Sequence, residues 1–218
     1  MIPCFLTIYN LHTWPKQMAE QCSKLGLQVI LVDNNSTYPP CVEWLDNTSY
    51  PVIRQEVNLG CYGVFVSELY KEYESDYFVV SDSDLDLTGV PSDAVQRCRD
   101  VLEDSQVTKV GLSLHYLDVP DTYPLRDSVI HYEAGCWRDE YKNPSTGTVE
   151  GYRAGIGSTF ALYSKERLRE IRTNFYNGIR LAPPYTARHL SWYLDLDNLD
   201  EEHTYFFQQC DNVAYYGS

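Results

Sequence analysis

Tyr77-Phe78-Val79-Val80-Ser81-Asp82-Ser83-Asp84-Leu85-Asp86-Leu87 opens as a short apolar run and empties into three carboxylates at alternate positions. The run is continuous, rich in aromatic and β-branched residues, and closed by polar ones. It predicts a strand buried on both faces, the habit of a parallel sheet. In extended chain, residues two apart share a face, so Asp82, Asp84 and Asp86 are expected to aim together. At the carboxyl end of a strand in an open α/β sheet that face borders the ligand crevice. Convergent carboxylates there suit a hard divalent ion, Mn²⁺ or Mg²⁺, which keeps coordination positions for the oxygens of a diphosphate.

Working outward, residues 4–8 and 27–32 are two more apolar runs of the same kind, and 52–55 is a shorter one. Helix-like stretches separate them: 14–24, with Pro15 suited to a first turn, and 64–73. This alternation predicts an αβα sandwich with right-handed crossovers and a mostly parallel central sheet. It continues with a helix at 91–102 and a strand at 109–114. Residues 119–157, rich in Tyr, Pro, Asp and Gly, suit loops and a ligand-facing flap. A strand at 158–164, a helix at 165–173, irregular chain through 195–202 and a last strand at 205–207 follow. The expectation is one domain over 1–218, with a nucleotide-binding half (1–115) and a smaller acceptor-side half (116–218).

Seventeen Lys plus Arg against 31 Asp plus Glu give 17 − 31 = −14, a sign that opposes nucleic acid as a ligand. A small anion can still bind where a metal reverses the local sign. No run approaches the roughly 18 apolar residues of a membrane span. Seven scattered cysteines without a C-x-x-C, behind a start with no basic leader, point to reduced thiols and a cytoplasmic setting.

A D-x-D is most often a solvated turn, so its rivals matter. An EF-hand fails because Leu87 stands where Gly is needed, Asp93 where Glu is needed, and a strand precedes the loop. Asp84-Leu85-Asp86-Leu87-Thr88-Gly89 resembles the first motif of haloacid-dehalogenase-type phosphatases, with Asp84 as nucleophile, but there the strand runs directly into the first Asp. A non-catalytic carbohydrate-binding module is a third reading. A sugar-nucleotide pyrophosphorylase would open on a Gly-rich loop, and residues 1–16 contain no glycine.

The strand-end D-x-D resembles the metal site of GT-A-fold glycosyltransferases, and further segments fit that family in order. Ile30-Leu31-Val32-Asp33-Asn34-Asn35-Ser36 resembles the V-D-N-x-S that ends its second strand, and Asn58-Leu59-Gly60 its N-x-G stretch. Gly155-Ile156-Gly157-Ser158-Thr159-Phe160 and His189-Leu190-Ser191-Trp192-Tyr193 look like segments of small viral and bacterial members. Over nearly its whole length the chain resembles the amino-terminal glycosyltransferase domain of a chlorella-virus protein.

The resemblance implies a GT-A fold and transfer of a hexose or deoxyhexose from a nucleotide-diphosphate sugar, UDP by family habit, to a glycan or glycoprotein hydroxyl. For a viral chain it further implies capsid-glycan synthesis in the host cytoplasm, within a protein that can carry further domains. It assigns Asp82, Asp84 and His189 to the metal, and Thr7, Tyr9, Asp33, Arg54, Asn58, Gly60, Asp82 and Ser83 to the donor. Arg153 and Arg188 join Arg54 as candidate phosphate partners. Trp14, Trp137 and Trp192 are candidates for lining the cleft. Beside Asp84, the carboxylates Glu133, Asp195 and Asp197 are candidates for catalysis. Bacterial relatives carry Asp where Gly157 stands; its absence tilts the expected stereochemistry toward retention, in which the leaving diphosphate takes the proton.

Overall fold

β1 (Pro3–Ile8), β2 (Gln28–Asp33), β3 (Val52–Arg54) and β4 (Tyr77–Asp82) run parallel, with β1 between β2 and β4. This is a computed structural model, and it describes residues 1–168 and 178–210. The side-chain period of two explains why the runs are apolar throughout. Cys4, Leu6, Ile8, Val29, Leu31 and Val79 enter one core, while Phe5, Ile30, Val32, Phe78 and Val80 enter the other on the opposite face.

The sheet extends to nine strands in the order β3-β2-β1-β4-β10-β6-β11-β9-β8. β10 (Ala161–Ser164) lies antiparallel between β4 and β6 (Lys109–Gly111), so residues from the later part of the chain stand inside the earlier sheet. β11 (Gly178–Leu181), β9 (Val149–Arg153) and β8 (Glu140–Lys142) complete the far edge. A second, three-stranded sheet joins β5 (Leu85–Asp86), β12 (Thr186–His189) and β7 (Ser113–Leu114).

Helix α1 (Thr13–Lys24) buries Pro15, Met18, Ala19 and Cys22, the expected three-and-four spacing. α2 (Pro39–Asn47) has no counterpart in the sequence reading. Its start is legible in retrospect: Tyr38 is extended, and two prolines occupy the first helical positions, where their missing N–H groups cost nothing. The helix expected over 64–73 breaks early. α3 (Gly63–Val66) ends before Glu68, whose φ of 51° is left-handed, and a 3₁₀ turn follows at Leu69–Glu72. α4 (Ala94–Asp104) lies where expected.

The largest departures are in the second half. Residues 119–157 hold α5 (Arg126–Cys136), β8 and β9, not only loops. α5 buries just Val129, Glu133 and Cys136, too few apolar positions to register as a periodic face. The last strand expected at 205–207 is helical, inside α6 (Glu201–Gln209). Its aromatic run reads as β by composition, but Asp200 caps the helix by accepting from the His203 backbone N–H at 2.8 Å. Of the helix expected at 165–173, residues 165–168 are a turn. The remainder lies outside the described residues.

α6 returns to the start of the fold. The Glu202 carboxylate accepts from the backbone N–H groups of His12 and Thr13 and, at 2.6 Å, from the Thr13 hydroxyl. One buried charge thus serves the amino-terminal turn of α1, whose dipole favours it. Burial opposes the charge, but these hydrogen bonds outweigh it and hold the carboxyl below the usual range. Such a group stabilises the fold above its unfolded value and loses that contribution as pH falls through the lower folded value. Glu202→Ala is expected to cost about 1 to 3 kcal/mol in urea unfolding near neutral pH. Unchanged stability would mean that α6 does not clamp α1.

Candidate functional site

β4 ends on Asp82, and hydrogen bonds to the chain ahead of β10 fix that end. Its backbone N–H donates to the Ser158 carbonyl at 2.8 Å, and the Ser158 hydroxyl donates to the Asp82 carboxylate. Asp84 stands two residues on, in the turn between the sheets. Its carbonyl accepts from the Leu190 N–H at 2.8 Å, and β12 pairs antiparallel with β5, His189 opposite Leu85. That ladder draws a residue more than 100 positions later in the chain to the D-x-D. The His189 Nδ1 lies 3.4 Å from Asp84 Oδ2 and 2.6 Å from the Ser191 hydroxyl, and the ring stacks on Trp192 with centroids 4.9 Å apart and planes 11° apart.

Asp82, Asp84 and His189 therefore converge, with one ligand atom from each within 4.8 Å of the others. These residues could hold a metal ion. The fit rests on three observations. The donors are two carboxylates and an imidazole, a set suited to Mn²⁺. Asp84 Oδ1 is buried without a hydrogen-bond partner among the described residues. Burial, and after it the charge of Asp84, push the Asp82 carboxyl up to about 6, against the lowering effect of Ser158, His189 and Lys109. A cation would relieve all of this strain at once.

The expected convergence of all three aspartates is corrected. β4 stops at Asp82 and β5 belongs to the other sheet, so strict alternation does not carry through. Asp86 turns to α1, where its Oδ1 accepts from Gln21 Nε2 at 2.8 Å and from the Thr88 N–H and hydroxyl at 3.0 and 2.6 Å. These bonds overcome burial and lower its carboxyl, leaving it a local cap.

On the side of β1 and β2, Asp33 is buried and both its oxygens are engaged, one by the Ser36 N–H at 3.0 Å and one by Arg54 Nη1 at 2.9 Å. Ser36 in turn accepts from the Asn10 N–H, and Asn10, at a φ of 52°, accepts from the N–H groups of Thr37 and Tyr38. Two strand-end loops are thereby bolted together. Asn34 spans to the next loop, donating to the Gly60 carbonyl at 3.0 Å, and Asn58 accepts from the Gly60 N–H at 2.8 Å, where Gly60 has a φ of 59°. The Thr7 carbonyl accepts from the Ser83 hydroxyl at 2.7 Å. Tyr9 reaches the Gln209 carbonyl and the Phe206 ring.

Other candidates are placed differently. Glu133 is fully buried and its Oε2 pairs with Arg180 Nη1 at 2.5 Å. Asp195 and Asp197 sit in an exposed turn, where Asp195 accepts from the Asp197 N–H and the Asn198 side chain. Arg188 pairs with Asp118 at 2.7 Å. Trp192 is buried beneath His189, Trp14 packs on His203, and Trp137 packs between Tyr116 and Tyr152. A cavity of about 680 Å³ lies at the amino-terminal ends of β1, β2 and β4, the edge opposite the cluster.

Two residues were missed. Ser158 was read as the start of a strand and as part of the Gly155–Phe160 segment of the resemblance, but not as a partner of Asp82. Lys109 gave no hint. It is fully buried, donating to the Ile156 carbonyl at 2.5 Å, the Gly157 carbonyl at 3.1 Å and the Tyr163 hydroxyl at 3.1 Å. It thus holds from below the loop that presents Ser158. Burial, then the Arg180 charge, lower its ammonium to about 7.

No family model matches the chain, and no curated protein matches it. Among solved structures, S. aureus TarS 1–349 superposes with a TM-score of 0.51 at 12% identity, over 87% of this chain and 60% of that one. The fold is of the GT-A type. This chain spans about three-fifths of the length of that TarS fragment. TarS 1–349 in complex with UDP gives a TM-score of 0.49 at 13% identity over 86% of this chain and 60% of that one. The 4-diphosphocytidyl-2C-methyl-D-erythritol synthase of Anaerococcus prevotii gives 0.44 at 7% identity over 95% and 99%. No described helix is long and apolar enough to cross a membrane.

In the fold Asp82 keeps its proton to about pH 6, against about pH 4 for an unfolded aspartate. Its contribution to stability therefore falls as pH rises across that window, and Asp82→Asn should remove the fall. A divalent ion reverses the sign: Mn²⁺ should raise the melting temperature more at about pH 7.5 than at about pH 5. An equal rise at both would sink the metal assignment.

Proposed function

We propose that the chain is a metal-dependent glycosyltransferase that moves a hexose or deoxyhexose from a UDP-sugar to a hydroxyl of a glycan. The observation that carries the reading is the meeting of Asp82, Asp84 and His189 at the carboxyl end of β4, the edge at which open α/β sheets take their ligands. Mn²⁺ or Mg²⁺ bound there would supply Lewis-acid stabilisation for the charge that grows on the departing diphosphate. Asp84 and His189 would hold the ion, with the ring braced by Trp192 and Ser191. Asp82, oriented by Ser158, would share the ion. The Asp33–Arg54 pair and the Asn58–Gly60 loop order the nucleotide side, with Thr7, Tyr9 and Ser83 beside them.

Retention is supported by what the candidate bases are doing. Glu133 is tied to Arg180 and Asp195 serves its own turn, Gly157 brings no carboxylate, and the exposed Asp197, whose N–H donates to Asp195, is the candidate that remains. The acceptor's proton then leaves on the diphosphate. The phosphatase alternative would need its nucleophile on the final strand residue, and that residue is Asp82, not Asp84.

A thermal-shift panel of nucleotide-sugars with and without Mn²⁺ tests the reading. At one hundred times its Kd the cognate donor should add about 2.7 kcal/mol, or about 5 to 10 °C, in wild type. Asp84→Ala should lose the metal-dependent part, and equal shifts in both proteins would refute the proposal. The anomeric configuration of the product, read by NMR, should match that of the donor.

A further inference from the structure

α5 and the chain that follows β9 enclose a shallow pocket of about 400 Å³ that the metal cluster does not use. His131 and Gly135, and likewise Tyr132 and Cys136, are four apart and share the helix face that forms one wall. Arg138, just beyond α5, and Arg153, at the end of β9, stand at the pocket with them. Gly135 leaves the helix wall open: a Cβ there would meet no atom within 4 Å. The walls are tied together from behind, because Arg180 pairs with Glu133 of α5 and donates through Nε to the Gly155 carbonyl at 2.8 Å.

The charge pattern is what singles this pocket out. With 31 acidic residues against 17 basic ones, an arginine on this chain readily finds a carboxylate. Arg54, Arg97, Arg99, Arg126, Arg180 and Arg188 each do so, and Arg167 donates to the carbonyls of Leu102 and Ser105. Among the described arginines only Arg138 and Arg153 have neither, and both line this one pocket. The Arg153 guanidinium lies over the Tyr141 ring, 5.2 Å from its centroid. A cation–π contact with one ring leaves guanidinium N–H groups for a planar or tetrahedral anion. His131, exposed on the same helix face, offers a further N–H.

We propose that this pocket binds an anionic group, a phosphate or a carboxylate, carried on a sugar. Gly155, on its wall, is three residues from Ser158, the partner of Asp82, which is at most about 11 Å of backbone. The pocket and the cluster thus share one short stretch of chain, Gly155 to Ser158. In assigning that sugar to the acceptor the proposal rests on the transferase reading; in binding the anion it does not.

Calorimetric titration in EDTA separates the two. Glucose 6-phosphate, glucuronate and neutral glucose are titrated into wild type, Arg138→Gln/Arg153→Gln, Gly135→Leu and Asp84→Ala. At least one charged sugar should bind wild type at least about 10-fold more tightly than glucose, and which one binds tells phosphate from carboxylate. The double variant should lose that advantage, and Gly135→Leu, which fills the pocket without touching either arginine, should weaken binding as well. Asp84→Ala should bind the charged sugar as wild type does, even if it loses Mn²⁺. The proposal is overturned if neither charged sugar outbinds glucose, or if the double variant binds as tightly as wild type.

Discussion

Two carboxylates held within 4.8 Å of one another at the partly buried end of a strand are the constraint around which this site is built. At an effective dielectric near 20 two unit charges at that separation repel by about 3 to 4 kcal/mol, so the fold must either neutralise one or balance both. It does some of each. Asp82 holds its proton further toward neutral pH, Ser158 donates to it, and His189 stands against Asp84. Asp84 still has an oxygen without a partner among the described residues, so the balance is left open for a cation.

The surroundings keep the two groups from relaxing apart. β10 enters antiparallel beside β4 and brings Ser158 with it, and the buried Lys109 secures the carbonyls of Ile156 and Gly157 just before. The small sheet brings His189 from the other side through its ladder with β5. A buried lysine is thus placed beneath a site whose own sign is negative, an arrangement that costs desolvation.

The same economy of positive charge runs through the rest of the chain. Arginines are consumed by neighbouring carboxylates nearly everywhere, and the Glu133–Arg180 pair is buried between α5 and β11. An acidic protein that binds anions must reserve cations for the purpose, either as a metal or as side chains kept clear of its own carboxylates. The cluster after β4 suits the first means, and Arg138 with Arg153 the second.

The amino acids alone were sufficient for the strands β1, β2 and β4, for α1 and α4, and for the meeting of Asp82 and Asp84 at the end of β4, because continuous apolar runs and a carboxylate pair at a strand end are local patterns. Asp86 was misjudged from the same pattern, since alternation holds only while a strand stays in one sheet. α6 was read as a strand because its aromatic composition outweighed the Asp200 cap, and α5 was overlooked because its buried face includes a charged Glu133. The place of Lys109, the bond from Ser158 to Asp82 and the lack of a carboxylate partner for Arg138 and Arg153 among the described residues were decided by the tertiary structure. Each depends on which distant segment the sheet order brings alongside, and pairing between remote strands is a property of the closed fold, not of local propensity.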